Sequence, residues 1–265
     1  MSNQPIGIFD SGIGGLTVFR EIAKILPQED IIYLGDTARV PYGTKSAATV
    51  TRYAIQNVNF LLNQNIKMLV IACNTASAFA LEEIQSRFPI PVVGVIGPGV
   101  RGALCASRSQ RIGVIGTEGT IKSESYLRMI LAEAPKAVVI GASCPLFVPL
   151  VEEGRWEGPL AEEIVRGYLE KILAEKIDAL ILGCTHYPLL KKTIQKVVGK
   201  SIVLIDSAEE TARDVSEILS QKNLTRTENR KPFRKFCVTD SPEIFRRVGG
   251  LFLNAPLENI EHVEI

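Results

Sequence analysis

The feature that most constrains the fold of this chain is an alternation. Short, unbroken apolar runs ending in small or polar residues take turns with longer segments whose apolar side chains recur at helical spacing. Residues 6–9 predict a strand that runs into the turn Asp10-Ser11-Gly12-Ile13-Gly14-Gly15, after which Leu16, Phe19, Ile22, Ala23 and Leu26 mark a helix that Pro27 stops. Residues 31–34 predict a second strand, the stretch 35–45 a loop, and Val50, Tyr53, Ala54, Phe60 and Leu61 a second helix. The apolar run 67–72 ends at Cys73-Asn74-Thr75, a helix is expected over 76–87, and 91–96 reads as a fourth strand. Continuously apolar strands are those buried on both faces, so the class is α/β, with a mostly parallel sheet flanked by helices.

Gly97-Pro98-Gly99 reads as punctuation and as the crossing to a second unit, because the same grammar then restarts. Residues 111–117 resemble 7–11, a helix is expected from Gly119, a strand over 137–140, and the run 179–183 delivers Cys184-Thr185-His186 much as 69–72 delivers Cys73-Asn74-Thr75. The glycines Gly7 and Gly113 stand 106 positions apart and the cysteines Cys73 and Cys184 stand 111 apart, as duplicated units with small insertions would place them. Two similar lobes are therefore expected, 1–97 plus 207–265 and 98–206, with the active site in the cleft between them. Ser207-Ala208-Glu209-Glu210 has the form of a capping box opening a helix to about residue 219, and the polar stretch 221–230 reads as a loop. A last strand over 235–239 and a short helix from Pro242 could extend either lobe.

Thirty basic against twenty-nine acidic side chains leave a formal net charge of +1, which gives no global field for a polyanion and argues against nucleic acid as the main partner. No run approaches the ~18–20 apolar residues of a membrane span, and the first residues lack a basic stretch followed by an apolar one. The expectation is a soluble, cytoplasmic protein with no membrane partner. Five cysteines in 265 residues do not form a disulfide framework, none stands in a C-x-x-C pair, and with only His186 and His262 available no metal site is expected.

In an open parallel sheet, ligands bind beyond the carboxyl ends of the strands. Asp10-Ser11, Tyr42-Gly43, Cys73-Asn74-Thr75, Glu152 and Cys184-Thr185-His186 would line one cleft if the lobes faced each other. The turn Gly12 to Gly15 could cradle a phosphate, but it fits neither G-x-G-x-x-G nor a P-loop, and Asp10 would repel the anion while suiting an ammonium. Cys105, Cys144 and Cys237 read as small apolar core residues. Cys73 and Cys184 differ: each ends a strand, is followed by polar groups, and is expected at a helix N-terminus, where the thiol pKa should fall from about 8.5 toward neutrality. Two thiols in mirrored positions suit stereoinversion at carbon, in which one face needs a base and the other an acid. His186 could be a polar core residue or a group that sets the protonation of Cys184.

Residues 9–15, 35–43, 72–77 and 183–189 together resemble the aspartate/glutamate racemase superfamily, and within it the bacterial glutamate racemases. The resemblance implies an isomerase that needs no metal, pyridoxal phosphate or other cofactor and interconverts L- and D-glutamate for peptidoglycan, and hence for cell-wall biogenesis and cell shape. It implies that Cys73 acts on the D-enantiomer and Cys184 on the L-enantiomer, with Asp10 and His186 as their proton-handling neighbours. Ser11, Tyr42, Gly43, Asn74, Thr75 and Thr185 would hold the substrate, together with Asp10 and His186. Glu152 resembles a further acidic site residue, against the alternative of a solvated surface carboxylate. Asp36 and Arg39 form either a loop-stabilising ion pair or a ligand contact. The family's tendency toward dimers implies a homodimer. Two other readings stand beside this one: a racemase of the same superfamily acting on aspartate or another amino acid, and a ligand-binding protein whose cysteines merely line a pocket.

Overall fold

The computed structural model describes residues 2–265. Along the chain run β1 (Ile6–Asp10), α1 (Leu16–Ile25), β2 (Ile31–Gly35), α2 (Ala47–Asn63), β3 (Met68–Ile71), α3 (Asn74–Arg87), β4 (Val92–Gly94) and α4 (Ile96–Ala106). Then follow β5 (Arg111–Gly116), α5 (Glu118–Lys122), α6 (Ser125–Glu133), β6 (Val138–Ser143), α7 (Phe147–Glu152), α8 (Pro159–Ala174), β7 (Ala179–Gly183) and α9 (Lys191–Val198). The chain ends with β8 (Val203–Asp206), α10 (Ser207–Gln221), β9 (Arg234–Val238), α11 (Pro242–Leu253) and β10 (Ile260–His262).

The strands form two sheets, in the orders β10-β9-β2-β1-β3-β4 and β6-β5-β7-β8, and every pairing is parallel. The four strands β2-β1-β3-β4 therefore repeat as β6-β5-β7-β8. Strands β1, β2, β3 and β7 are buried along their whole length, which is why their sequences are apolar without alternation. Register then fixes the site: Phe9 pairs with Ile71, so Ser11 emerges beside Cys73, one residue past Asp10, and Gly116 pairs with Gly183, so Thr117 emerges beside Cys184. Strands β9 and β10 settle the last segment by adding to the free edge of β2.

Three local expectations fail. Cys105 is exposed on α4 and is not a core residue. Gly97-Pro98-Gly99 is not a loop but the first turn of α4, where proline is tolerated because its missing N–H would have no intrahelical partner. The glycines there serve close packing: a side chain on Gly99 would run into Ser207, and one on Gly102 would press on Glu210, both on α10. The cap of α10 is Asp206, whose carboxylate accepts from Ala208 N at 3.0 Å, and not Ser207. The hydroxyl of Ser207 instead lies 3.4 Å from that of Tyr126.

Behind the first sheet, at the amino ends of its strands, the polar segment after α10 is pinned by buried charges. Lys67 Nζ donates to Glu29 at 2.5 Å and to the carbonyls of Ser2 and Leu224, and Glu29 also accepts from Arg226 N at 2.8 Å. Both side chains of the Lys67–Glu29 pair are almost wholly inaccessible. Removing one partner of such a pair strands the other charge in low dielectric, at a cost of about 3–5 kcal/mol. Lys67→Ala is accordingly expected to lose ~3–5 kcal/mol in urea denaturation, whereas Lys24→Ala, which removes an exposed lysine and leaves Glu21 paired with Arg20, should change stability by less than about 1 kcal/mol.

Candidate active site

Ser11, Val40, Pro41, Tyr42, Gly43, Cys73, Asn74, Thr75, Thr117, Val148, Cys184, Thr185 and His186 line one cavity of about 30 Å³ between the lobes. The two cysteines thus approach a common space from the ends of β3 and β7, in different sheets. Cys73 caps α3, and its Sγ lies 3.5 Å from Ala76 N. Cys184 has no α-helix behind it; after it come His186 and the 3-10 turn Tyr187–Leu190.

Neither thiol is acidified, contrary to expectation. Burial pushes Cys73 up to about 12, aided by the neighbouring carboxylate of Asp10 and only partly opposed by Ala76 N and Ser11. Burial pushes Cys184 higher still. A helix end offers about 0.3–2 kcal/mol to an anion, while full burial can cost it ~4–7 kcal/mol, so desolvation decides the sign.

Each thiol has a titratable neighbour. Cys184 Sγ lies 3.9 Å from His186 Nδ1, and His186 Nε2 lies 2.9 Å from Glu152 Oε1. A carboxylate acceptor at Nε2 holds the proton there and leaves Nδ1 free to take one from the sulfur. Glu152, the last residue of α7, is thereby tied to the site and not simply solvated. Asp10 is wholly buried, accepts from Gly12 N at 2.9 Å and from Thr185 Oγ1 at 3.3 Å, and its pKa is raised, first by desolvation. The Thr185 bond crosses between the lobes.

The glycine turn is filled by protein. A side chain on Gly14 would overlap Thr185 Oγ1 and His186 Nδ1, and one on Gly15 would lie 2.5 Å from Asp10 Cβ, so these glycines let the lobes meet and leave no phosphate cradle. Tyr33 holds the turn from below, donating to Gly12 O at 2.8 Å. Asp36 and Arg39 form an ion pair at 2.7 Å. The Tyr42 hydroxyl donates to Asp36 and lies 3.1 Å from Asn57 Nδ2, so its phenol is not free to bind a ligand, and Tyr42-Gly43 contribute to the cavity in other ways. Among the described residues no three His, Cys, Asp or Glu side chains gather as metal ligands. The same residues include no helix long and apolar enough to cross a membrane.

Thr117 is a lining residue that sequence reasoning passed over. Its hydroxyl lies 2.9 Å from that of Thr75 and 3.1 Å from that of Thr120, three hydroxyls bridging the lobes. The signal was present, since the 106-residue offset of the repeat maps Thr117 onto Ser11.

A family model described as Asp/Glu/hydantoin racemase matches residues 6–215. The chain belongs to this family. A glutamate racemase of Geobacter metallireducens is 53% identical to it over 99% of this chain and 97% of that protein. Among solved structures, the glutamate racemase of Francisella tularensis in complex with D-glutamate superposes with a TM-score of 0.94 at 42% identity, covering 100% of this chain and 98% of the other. Glutamate racemase isoform RacE1 of Bacillus anthracis gives 0.96 at 39% identity, covering 100% and 99%. In this racemase-family chain the two-lobed α/β architecture is thus the one its sequence relatives adopt.

Two outcomes test the site's energetics. Folding raises the pKa of Asp10, so it opposes ionisation: the cost is absent below pH 3.8, where the carboxyl is protonated in both states, and grows as pH rises from 3.8 through the folded value. Asp10→Asn, which can still accept from Gly12 N and donate to Thr185, should unfold at a higher temperature than the wild type at pH 7, and the gain should vanish at pH 3. Gly14→Ala should keep native far-ultraviolet dichroism and lose at least about tenfold in turnover, since displacement of catalytic groups by an ångström can cost ~100-fold.

Proposed function

We propose that this protein is a cofactor-independent glutamate racemase in which Cys73 and Cys184 act on opposite faces of the substrate α-carbon. The observation that carries the reading is the meeting of two buried thiols from equivalent strand ends of two facing lobes at one cavity, each with its own proton acceptor. A binding protein has no use for that pairing.

The high thiol pKa values shape the mechanism. A resting thiolate would be costly in so dry a cavity, so both sulfurs rest protonated and a thiolate forms when the substrate arrives. The substrate ammonium supplies the compensating positive charge, and Asp10 or His186 receives the proton. For L-glutamate, the Cys184 proton passes to His186 Nδ1, the thiolate takes the α-proton, and the Cys73 thiol delivers a proton to the other face; D-glutamate runs the sequence in reverse from Cys73 and Asp10. Glu152 holds the imidazole in the accepting tautomer. Asn74 and Thr75, at the start of α3, present backbone N–H groups to a carboxylate, and Ser11, Gly43 and Thr185 complete the polar lining. Donors aimed at the α-carboxylate stabilise the charge that develops there, each worth roughly 3–4 kcal/mol in a dry site.

A cavity of about 30 Å³ has room for about two or three waters at ~10–15 Å³ each, less than glutamate needs. The lobes, taken as 1–97 with 207–265 and 98–206, must therefore part to admit substrate and close to expel water. The setting is cytoplasmic, where the racemase would supply D-glutamate for peptidoglycan.

L-glutamate incubated in D2O without added cofactor should yield D-glutamate carrying solvent deuterium at the α-carbon, read by chiral chromatography and mass spectrometry. Aspartate should turn over far more slowly; the opposite preference would move the assignment within the family. Cys73→Ser and Cys184→Ser should each lower racemisation by about 10²–10⁴-fold, as for loss of a general acid–base group. Near-normal turnover in either variant would sink the two-thiol mechanism.

A further inference from the structure

The cavity between the lobes is not a dead end. A second cavity, of about 10 Å³, lies behind it and shares Asn74, Cys184 and Thr185 with it; Asp206 and Ser207 line its far side. Asp206 also lines a third space, an open groove of about 430 Å³ bordered by Arg101, Lys191, Glu209 and Glu210. Asp206 thus stands between Cys184 and solvent on the side of the molecule where α10 follows β8.

We propose that Asp206 is a proton-relay residue, passing protons between Cys184 and solvent through this small cavity while the lobes remain closed. The inference rests on the racemase reading and adds a step to it. After one conversion of L- to D-glutamate, Cys184 carries the abstracted proton, His186 still holds the one it took from Cys184, and Cys73 has given one up. A second conversion in the same direction requires the Cys184–His186 pair to lose one proton and Cys73 to gain one. With Cys184 only 6% exposed, the front of the site offers that proton little access to water.

The back of the site offers a route. About 10–15 Å³ is room for one water, provided it has two to four polar partners, and Asn74, Thr185, Asp206 and Ser207 supply them. The proton on Cys184 Sγ passes to that water as the water gives one of its own to the Asp206 carboxylate. His186 Nδ1 returns its extra proton to the sulfur, so the result is a thiol, a neutral imidazole and a carboxylic acid. Asp206 then releases its proton to buffer in the groove, and Cys73 takes one from solvent as the lobes open, so one proton leaves and one enters. The position suits a carboxyl that changes protonation state: Asp206 is 8% exposed, its nearest cation, Lys191, is 3.8 Å away, and burial raises its pKa. On the other side, Glu209 competes for the same lysine at 3.2 Å.

Asp206→Asn tests the relay, because asparagine also caps helices and can still accept from Ala208 N. A slow reset of the free enzyme limits saturated turnover, whereas at low substrate the two protonation forms equilibrate before binding. In Asp206→Asn, kcat for L-glutamate is therefore expected to fall about tenfold with kcat/KM within twofold of wild type, and the solvent deuterium effect on kcat should grow. Ala208→Val, which narrows the small cavity and leaves the carboxylate in place, should reproduce the split and carries the test if Asp206→Asn fails to fold. Unchanged kcat in a folded variant, or equal losses in kcat and kcat/KM, would overturn the relay. Absence of racemisation in the wild type would instead overturn the racemase reading.

Discussion

Everything at the centre of this molecule follows from the contact between Gly14 on one lobe and Thr185-His186 on the other. The absence of a side chain at Gly14 lets the turn after β1 lie against the end of β7. That closeness brings Asp10 within 3.3 Å of Thr185 Oγ1, seals Cys73 and Cys184 from water and aligns the Thr75–Thr117 bridge. Because the contact excludes water, it also sets the electrostatics: Asp10, Cys73 and Cys184 all shift toward their neutral forms. The site is built to make charge expensive until a charged substrate is present to share it.

That arrangement has a stability cost the rest of the fold must offset. A buried carboxyl contributes less than an apolar residue of the same volume would. The compensation lies in the two sheets, whose central strands are fully buried, and in α10, which packs against α1 and α4 where the chain passes between sheets. The buried Lys67–Glu29 pair fastens the segment leading back to β9, a distant charged anchor that keeps the first sheet complete without touching the cleft.

Much of this was legible in the residues. Apolar runs without alternation gave parallel strands, and their polar ends gave Asp10, Cys73 and Cys184 as neighbours of a cleft, because strand ends in such sheets converge on one side. What could not be read was anything set by tertiary approach. Gly97-Pro98-Gly99 looks like a break by local propensity, yet α10 lies so close to α4 that glycine is required inside the helix. The phenol of Tyr42 looks available until Asp36 and Asn57 are seen to occupy it. The thiol pKa values were misjudged for the same reason: a helix end is visible in sequence, whereas the depth of burial that outweighs it is not. The helix over residues 159–174 was passed over although it could have been read, for Ala161, Val165, Leu169 and Ile172 recur at helical spacing and carry a signal for α8.

The duplication itself explains why the two halves of the site are matched in sulfur but not in base. The proposed stereoinversion asks for two equivalent thiols on opposite faces, and repeating a strand end places Cys73 and Cys184 at one cavity. It does not ask for equivalent neighbours. The repeat maps Asp10 onto Gly116, which sits against the backbone of Gly183 with no room for a carboxylate. In the proposed mechanism the second thiol must find its base elsewhere, and the group beside it is His186, at the position that the cysteine offset maps onto Thr75. An imidazole needs an orienting partner that a carboxylate does not, which gives Glu152 a place in one half and no counterpart in the other. The chemistry is symmetric where the substrate touches it and asymmetric one atom further out, as expected when a duplicated scaffold is refined separately on each side.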